Sequence, residues 1–340
     1  MSDIVFRALP AGDGDCLLIS FNNRQKTNIL IDGGTSISFQ ANAKIIQDEF
    51  DKSSSNHLFI THIDDDHIAG IVTLFSDEKY SNISSQIRGV YFNSSEYLKK
   101  QSPNSADIPR QIKLHGSTNK TSALSGKRLE EKLLDLNIQH HDSLISGVKF
   151  TIDDISFTIL SPSTNLLRKY ESWLDKQYPA KTSALRDYSK PISELISYPD
   201  KEDQSVTNGS SIAMLVEYRN KKILLLGDSY PSVICESLTE LGYSDNNKLT
   251  VDLVKTSHHG SRYNSSNALW EMIHSPKFII STNGTKHQLP HKQALAKIIA
   301  SQSNAELLFN YPIYQEIFSE EDYKKYSFSA SLIEQGGINL

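Results

Sequence analysis

Six residues, His62-Ile63-Asp64-Asp65-Asp66-His67, carry four metal-ligand candidates directly behind an apolar run at 57–61. His62 and Asp64 alternate along an extended chain and so point the same way, and Asp66 and His67 follow on the turn into a helix. Imidazole nitrogen with carboxylate oxygen suits zinc, manganese or iron, and the absence of thiolate argues against a structural zinc site. A calcium loop would need a glycine and a terminal glutamate where Ala69 and Phe75 stand. A solvated acidic turn is the bland alternative, and two flanking histidines make it a poor one.

Further along, Asp228 closes an apolar strand at 221–227, where Gly227 lets the chain turn. A carboxylate there is placed to bind metal or to cap the helix that follows Ser229-Tyr230-Pro231. His258 and His259 stand after another apolar strand, at 251–255. Neighbours on a strand point to opposite faces, so one of the two is expected in the site. The amides of Gly260 and Ser261 would add donors for a phosphate or an oxyanion.

These residues need a frame, and the sequence supplies one. Apolar runs at 4–9, 16–21 and 27–31, separated by Gly/Asp/Asn turns, read as antiparallel hairpins. Helical spacing at 41–50, 68–75 and 126–137 alternates with strand patterns at 57–61 and 89–92. Hairpins follow at 148–160 and 211–226. Helices at 231–243, 265–273 and 290–300 then alternate with strands at 251–255, 277–281, 306–310 and 326–333. Hairpins mixed with single covering helices predict two sheets with helices outside. The chain reads as one domain, 1–340, with polar insertions at 94–123 and 165–207 near its working edge.

Composition narrows the function. Lys and Arg number 35 against 40 Asp and Glu, a net of −5, so overall attraction to nucleic acid is not the organising principle. Cys16 and Cys235 are too few for a disulfide framework or a cysteine-built zinc module. No Gly-x-Ser-x-Gly elbow and no phosphate-cradling Gly-Lys-Ser/Thr loop occurs. With no signal segment and no apolar stretch of spanning length, the expected location is the cytoplasm, with no membrane partner.

Thr61-His62-Ile63-Asp64-Asp65-Asp66-His67-Ile68-Ala69-Gly70 resembles the metal-binding signature of the metallo-β-lactamase fold, T-H-x-H-x-D-H-x-x-G. Asp64, where most members have histidine, is similar to the variant in the hydrolase domain of the competence protein ComEC and its free-standing relatives. Other pieces follow in that branch's order: Gly12-Asp13-Gly14-Asp15, Ile31-Asp32-Gly33-Gly34, Leu160-Ser161-Pro162, Asn208-Gly209-Ser210-Ser211, Leu225-Leu226-Gly227-Asp228 and His258-His259-Gly260-Ser261. The resemblance implies a four-layer αββα sandwich. It implies a site in which His62, Asp64, Asp66, His67 and Asp228 hold one or two divalent ions, with Asp228 bridging them. Zinc is the first expectation and manganese, favoured by the extra aspartate, the second.

One departure stands out. The branch ends in H-P-x-K, whose histidine binds metal, whereas here Leu289 occupies that position in Leu289-Pro290-His291-Lys292. His287 is the expected substitute and His291 the alternative. Asp66, His258 and His259 are the expected catalytic residues, and Asn208, Ser211, Gly260 and Ser261 the expected substrate contacts. The implied activity is metal-dependent hydrolysis of a phosphodiester, in single-stranded DNA or a nucleotide, by a water that the metal acidifies. Lys99, Lys100, Arg110, Lys113, Lys120, Lys127 and Arg128 concentrate positive charge in and beside the first insertion. A small ester, lactam or thioester substrate, and a degenerate site with a binding role, are the rival readings.

Overall fold

The protein is described by a computed structural model over residues 2–94, 118–136, 138, 140–141, 143–174 and 186–340. The N-terminal hairpin pairs β1 (Ile4–Ala8) with β2 (Leu17–Phe21), and β2 pairs with β3 (Thr27–Ile31), all antiparallel. Helix α1 (Ser36–Phe50) then returns the chain so that β4 (Ser55–Phe59) runs parallel to β3. Helix α2 (Asp65–Ser76) does the same for β5 (Ile87–Tyr91). After α3 (Thr118–Asp135), β6 (His140–His141) adds an edge.

The second sheet begins as a meander of β7 (Lys149–Ile152), β8 (Ile155–Ser161), β9 (Ala213–Tyr218) and β10 (Lys221–Leu225). Helix α4 (Thr164–Leu174) lies between β8 and β9, and α5 (Pro231–Glu240) follows β10. A small pair, β11 (Leu249–Thr250) and β13 (Ile273–His274), stands apart. β12 (Leu253–Lys255), β14 (Lys277–Ile280), β15 (Ala305–Phe309) and β16 (Phe328–Leu332) extend the second sheet in parallel, with α6 (Lys292–Ser301) crossing between β14 and β15. β17 (Ile338–Asn339) returns to the edge of the first sheet beside β1.

Alternation within strands makes the layers. Ile29, Ile31 and Phe59 face inward and meet Phe157, Met214, Val216 and Leu225 of the other sheet. Leu30 and Leu58 face outward, against Phe39 and Ile46 of α1 and Ile71 of α2. On the far side, Leu224, Val254 and Phe278 pack against Leu295 and Ile298 of α6. The result is the predicted αββα sandwich. β3, β4, β10, β12 and β14 release their chains at one edge, where every sequence-predicted site residue lies.

Two local features go beyond the sequence reading. Residues 140–141 show no strand pattern of their own, yet they pair with β5, and the ring of His141 stacks on Tyr91 at 4.5 Å. The stretch 165–207 is not simply polar elaboration: α4 buries Leu167 and Tyr170 against the first sheet's outer layer, and short helices at Ile192–Ile196 and Val206–Gly209 follow. Lys99, Lys100, Arg110 and Lys113 lie outside the described residues. Among the described residues, no helix is long and apolar enough to cross a membrane.

Candidate metal centre

The site begins at the end of β3, where the chain turns through Asp32 with φ at 55°. Asp32 is fully buried and accepts the amide of Thr61 at 2.8 Å, its hydroxyl at 2.6 Å, and Nδ1–H of His67 at 2.8 Å. Because the Thr61 hydroxyl spends its single proton on Asp32, it must accept from Nδ1–H of His62, 3.0 Å away. When neutral, both histidines therefore carry their proton on Nδ1 and turn a bare Nε2 inward. This is how a carboxylate or hydroxyl behind a metal-binding histidine fixes its tautomer.

Both Nε2 atoms lie 3.7 Å from Oδ2 of Asp228. Neither has a hydrogen-bond partner, nor has Oδ1 of Asp228, and all are buried. A separation of 3.7 Å is too long for a hydrogen bond. It is near the roughly 3.3 Å edge of a tetrahedron with about 2.0 Å metal–ligand bonds. Unpaired buried polar atoms are costly, so a cluster of them aimed at one point fits a divalent cation. His62, His67 and Asp228 form one set with ligand atoms within 4.8 Å of one another, and Asp66, His67 and His259 form a second. Asp64 stands beside them, its Oδ2 3.7 Å from Nε2 of His62 and accepting the Thr207 hydroxyl at 3.1 Å.

The electrostatics agree with a cation site. Burial resists ionisation of Asp228, but His258, His67, His259 and His62 outweigh it and hold its carboxyl well below the usual range. Asp66 behaves likewise: burial opposes its charge, and His67 and His259 more than compensate. Without an ion, burial disfavours a proton on His67 while Asp228 and Asp32 draw one in, and the acids prevail.

His258 and His259 both face the site, against the expectation of one. The chain has left β12 and runs through left-handed backbone at His258 (φ 44°) and His259 (φ 55°), so strand alternation no longer applies. Nε2 of His258 lies 3.7 Å from Oδ2 of Asp228, and Nε2 of His259 lies 3.9 Å from Oδ1. His258 is held from behind by Oδ1 of Asn264 at 3.0 Å and Oδ2 of Asp203 at 3.4 Å. Its side chain keeps 23 % exposure, against 32 % for Asp64, so the two lie on the open side of the site. Nδ1 of His259 lies 3.5 Å from Asp15, which is ion-paired with the fully buried Lys255 at 2.6 Å.

Two glycines permit these approaches. A Cβ on Gly14 would lie 1.6 Å from the carbonyl oxygen of Asp66, and one on Gly227 would lie 2.5 Å from the Ser211 hydroxyl.

The expected substrate contacts all lie close behind the ligands. Ser211 is fully buried and accepts the amide of Asp228 at 3.0 Å, so it seats that ligand. Asn208 donates to Asp203 at 2.6 Å and lies 3.2 Å from Nδ1 of His258. The amide of Ser261 donates to the carbonyl of His258, and Gly260 accepts from the amide of His291. All four are buried and bonded to residues of the site.

His287, the expected substitute ligand, stands apart from these sets. Asp13 accepts the amides of Thr285 and Lys286 and the Thr285 hydroxyl, folding that loop back so that His287 is exposed and belongs to neither ligand set. His291 is buried, and its Nδ1 accepts the amide of Arg262 at 3.2 Å. Sequence reasoning missed Asp15, Lys255, Asp203 and Asn264 as supports. Asp32 stood in a quoted motif but was given no role of its own.

Residues 9–158 match the profile described as "Metallo-beta-lactamase superfamily". No curated protein matches the sequence. Similar solved structures include zinc-bound PqqB from Methylobacterium extorquens, at 10 % identity and a TM-score of 0.45, covering 99 % of each chain. A diphosphatase of the PhnP family has 10 % identity and a TM-score of 0.37, over 96 % of this chain and 82 % of that one. CmlA, a diiron β-hydroxylase from Streptomyces venezuelae, has 10 % identity and a TM-score of 0.40; the match covers all of this chain and 54 % of CmlA. This chain thus spans about half the length of CmlA.

Proposed function

From a metallo-β-lactamase fold with this cluster at its edge, we propose that the chain is a metal-dependent hydrolase of phosphodiesters in DNA or a nucleotide. The observation that carries the reading is the convergence of His62, His67, His258 and His259 on one buried carboxylate, Asp228. His62, His67, Asp66, His259 and Asp228 would hold the metal, with Asp64 in reach of the His62 side. When bound, a divalent ion acidifies water and polarises the substrate's oxygen.

The chain's own residues do the rest. Asp32 and Thr61 fix two ligand tautomers before substrate arrives, which lowers the reorganisation the reaction needs. His258 is partly open to solvent, and Asn264 and Asp203 fix its ring so that Nε2 turns toward Asp228.

The test is a panel of bis(p-nitrophenyl) phosphate, single-stranded oligonucleotide, p-nitrophenyl acetate, a lactam and a thioester, run with zinc, manganese and magnesium in turn. Turnover confined to the phosphodiesters and lost in His62→Gln is the expected result. Cleavage of the lactam or thioester alone would replace this reading with the small-molecule one.

A further inference from the structure

The two large sheets have four edges, and three of them are guarded. β6 and β17, at the ends of the first sheet, are two residues each, and β7 opens on the exposed Lys149. Short strands and lysines are how edges avoid pairing with other chains. The fourth edge, β16, has neither. From Tyr326 to Ile333 the chain carries no charged residue and no proline. β16 pairs with β15 in unbroken register from Ala305↔Phe328 to Phe309↔Leu332, so no bulge twists it away. Among the described residues, no strand covers its outer side.

The amide of Ile333 donates to the carbonyl of Phe309 at 2.7 Å. A strand's backbone groups alternate between its two sides, so those of Ser329 and Ser331 also turn to β15. Those of Phe328, Ala330 and Leu332 turn outward. The same three residues put their side chains on the sheet's outer face, beside Ala305, Leu307 and Phe309. Leu332 is 47 % exposed there, and Tyr323, whose ring stacks on Phe328 at 4.8 Å, is 43 % exposed. Large apolar side chains left open beside a row of outward donors and acceptors mark a surface that another strand covers.

We propose that β16 pairs antiparallel with β16 of a second copy of this chain, joining the two second sheets across a two-fold axis at Ala330. The strand is its own complement about that residue. Phe328 stands opposite Leu332 of the copy, Ser329 opposite Ser331, and Ala330 opposite itself. This register also suits the backbone: Phe328, Ala330 and Leu332 are the residues with outward groups, and opposed residues of that kind exchange two hydrogen bonds. Leu332 of the copy then lies over Phe328 and reaches Tyr323, so both exposed side chains are covered. Charge at the strand's ends selects the same direction. Lys325 precedes the strand, paired with the exposed Glu321 one turn back, and exposed Glu334 follows it. Antiparallel strands bring these unlike ends together, whereas parallel ones would set like ends side by side. A two-fold interface is one patch meeting itself, which such a strand satisfies. The inference is independent of the hydrolase reading.

The experiment measures the mass of the full chain by sedimentation equilibrium from about 1 to 100 µM. The parent should be a dimer in this range. Ala330→Pro removes an outward amide that β15 does not use, a change an edge strand tolerates, and Leu332→Lys places a charge at the join. Each should raise the dissociation constant at least about tenfold, with circular dichroism and Tm close to the parent's. If Ala330→Pro fails to fold, Leu332→Lys carries the comparison alone. Cysteines read the register, in a Cys235→Ser background. Opposed hydrogen-bonded Cα atoms lie about 5.5 Å apart, within disulfide reach. Mild oxidation should link Ala330→Cys into a covalent dimer and leave Ser327→Cys, about 20 Å from its copy, unlinked. A parent that stays monomeric across the whole range would overturn the inference and leave this edge to a strand of a different chain. Unchanged affinity in Leu332→Lys, or equal linking at both cysteines, would overturn it as well.

Discussion

Oδ2 of Asp32 lies 2.8 Å from Nδ1 of His67, and this contact decides which nitrogen of His67 faces Asp228. Asp32→Asn keeps the volume but brings an amide donor to a point where three donors already arrive. Metal affinity should fall about 10- to 100-fold, the usual cost of losing such a partner. Competition against a chelating dye measures it, and an unchanged affinity would remove Asp32 from the account.

Asp203 supports His258 without touching the ligand set centred on His62 and His67. Asp203→Asn should therefore lower kcat while leaving the bound metal unchanged. Elemental analysis and turnover on the same preparation separate the two effects. Parallel loss of metal would make His258 a ligand whose orientation Asp203 controls.

Lys255 and Asp15 are an ion pair with almost no solvent access. Lys255→Met leaves the Asp15 charge buried and uncompensated, a loss of about 3–5 kcal/mol in unfolding free energy. Chemical denaturation reads it, and adding Asp15→Asn should recover much of the loss.

His57 lies away from the site, with a buried Nδ1 that has no partner. Burial, helped by Arg88 and His141 and opposed by Asp153, pulls it down to about 4. The unfolded chain protonates this group near 6.5, so between those values the unfolded state binds more protons. Stability from this group is present above about 6.5 and is lost as pH falls through 4. His57→Phe should show a smaller drop in Tm from pH 7 to pH 5 than the parent. An equal drop would mean that other groups carry the acid sensitivity.

The strands, most helices and the cluster at 62–67 were legible in the sequence because each is written in a local pattern: alternation, helical spacing, or ligand types packed into six residues. The supports were not. Asp15 meets Lys255, and Asp203 meets His258, across separations that only the packed sheets close, and no short motif records such a pairing. The two adjacent histidines misled for a different reason. Strand alternation was extended past Lys255, where the backbone becomes left-handed. His287 was favoured over His291 by spacing alone, and only the grip of Asp13 on Thr285 and Lys286 shows why that loop turns His287 outward.

Nε2 of His67 has one lone pair and serves one ion, whereas Asp228 offers two oxygens, one near His62 and His67 and the other near His259. Asp228 is thus the residue on which every bound ion depends. The most direct measurement is metal content per chain, by elemental analysis after zinc or manganese loading and desalting, for the parent and Asp228→Asn. The account predicts one or two ions in the parent and near none in the variant, with both folded by circular dichroism. A parent that retains no metal, or a variant that retains all of it, would contradict the account.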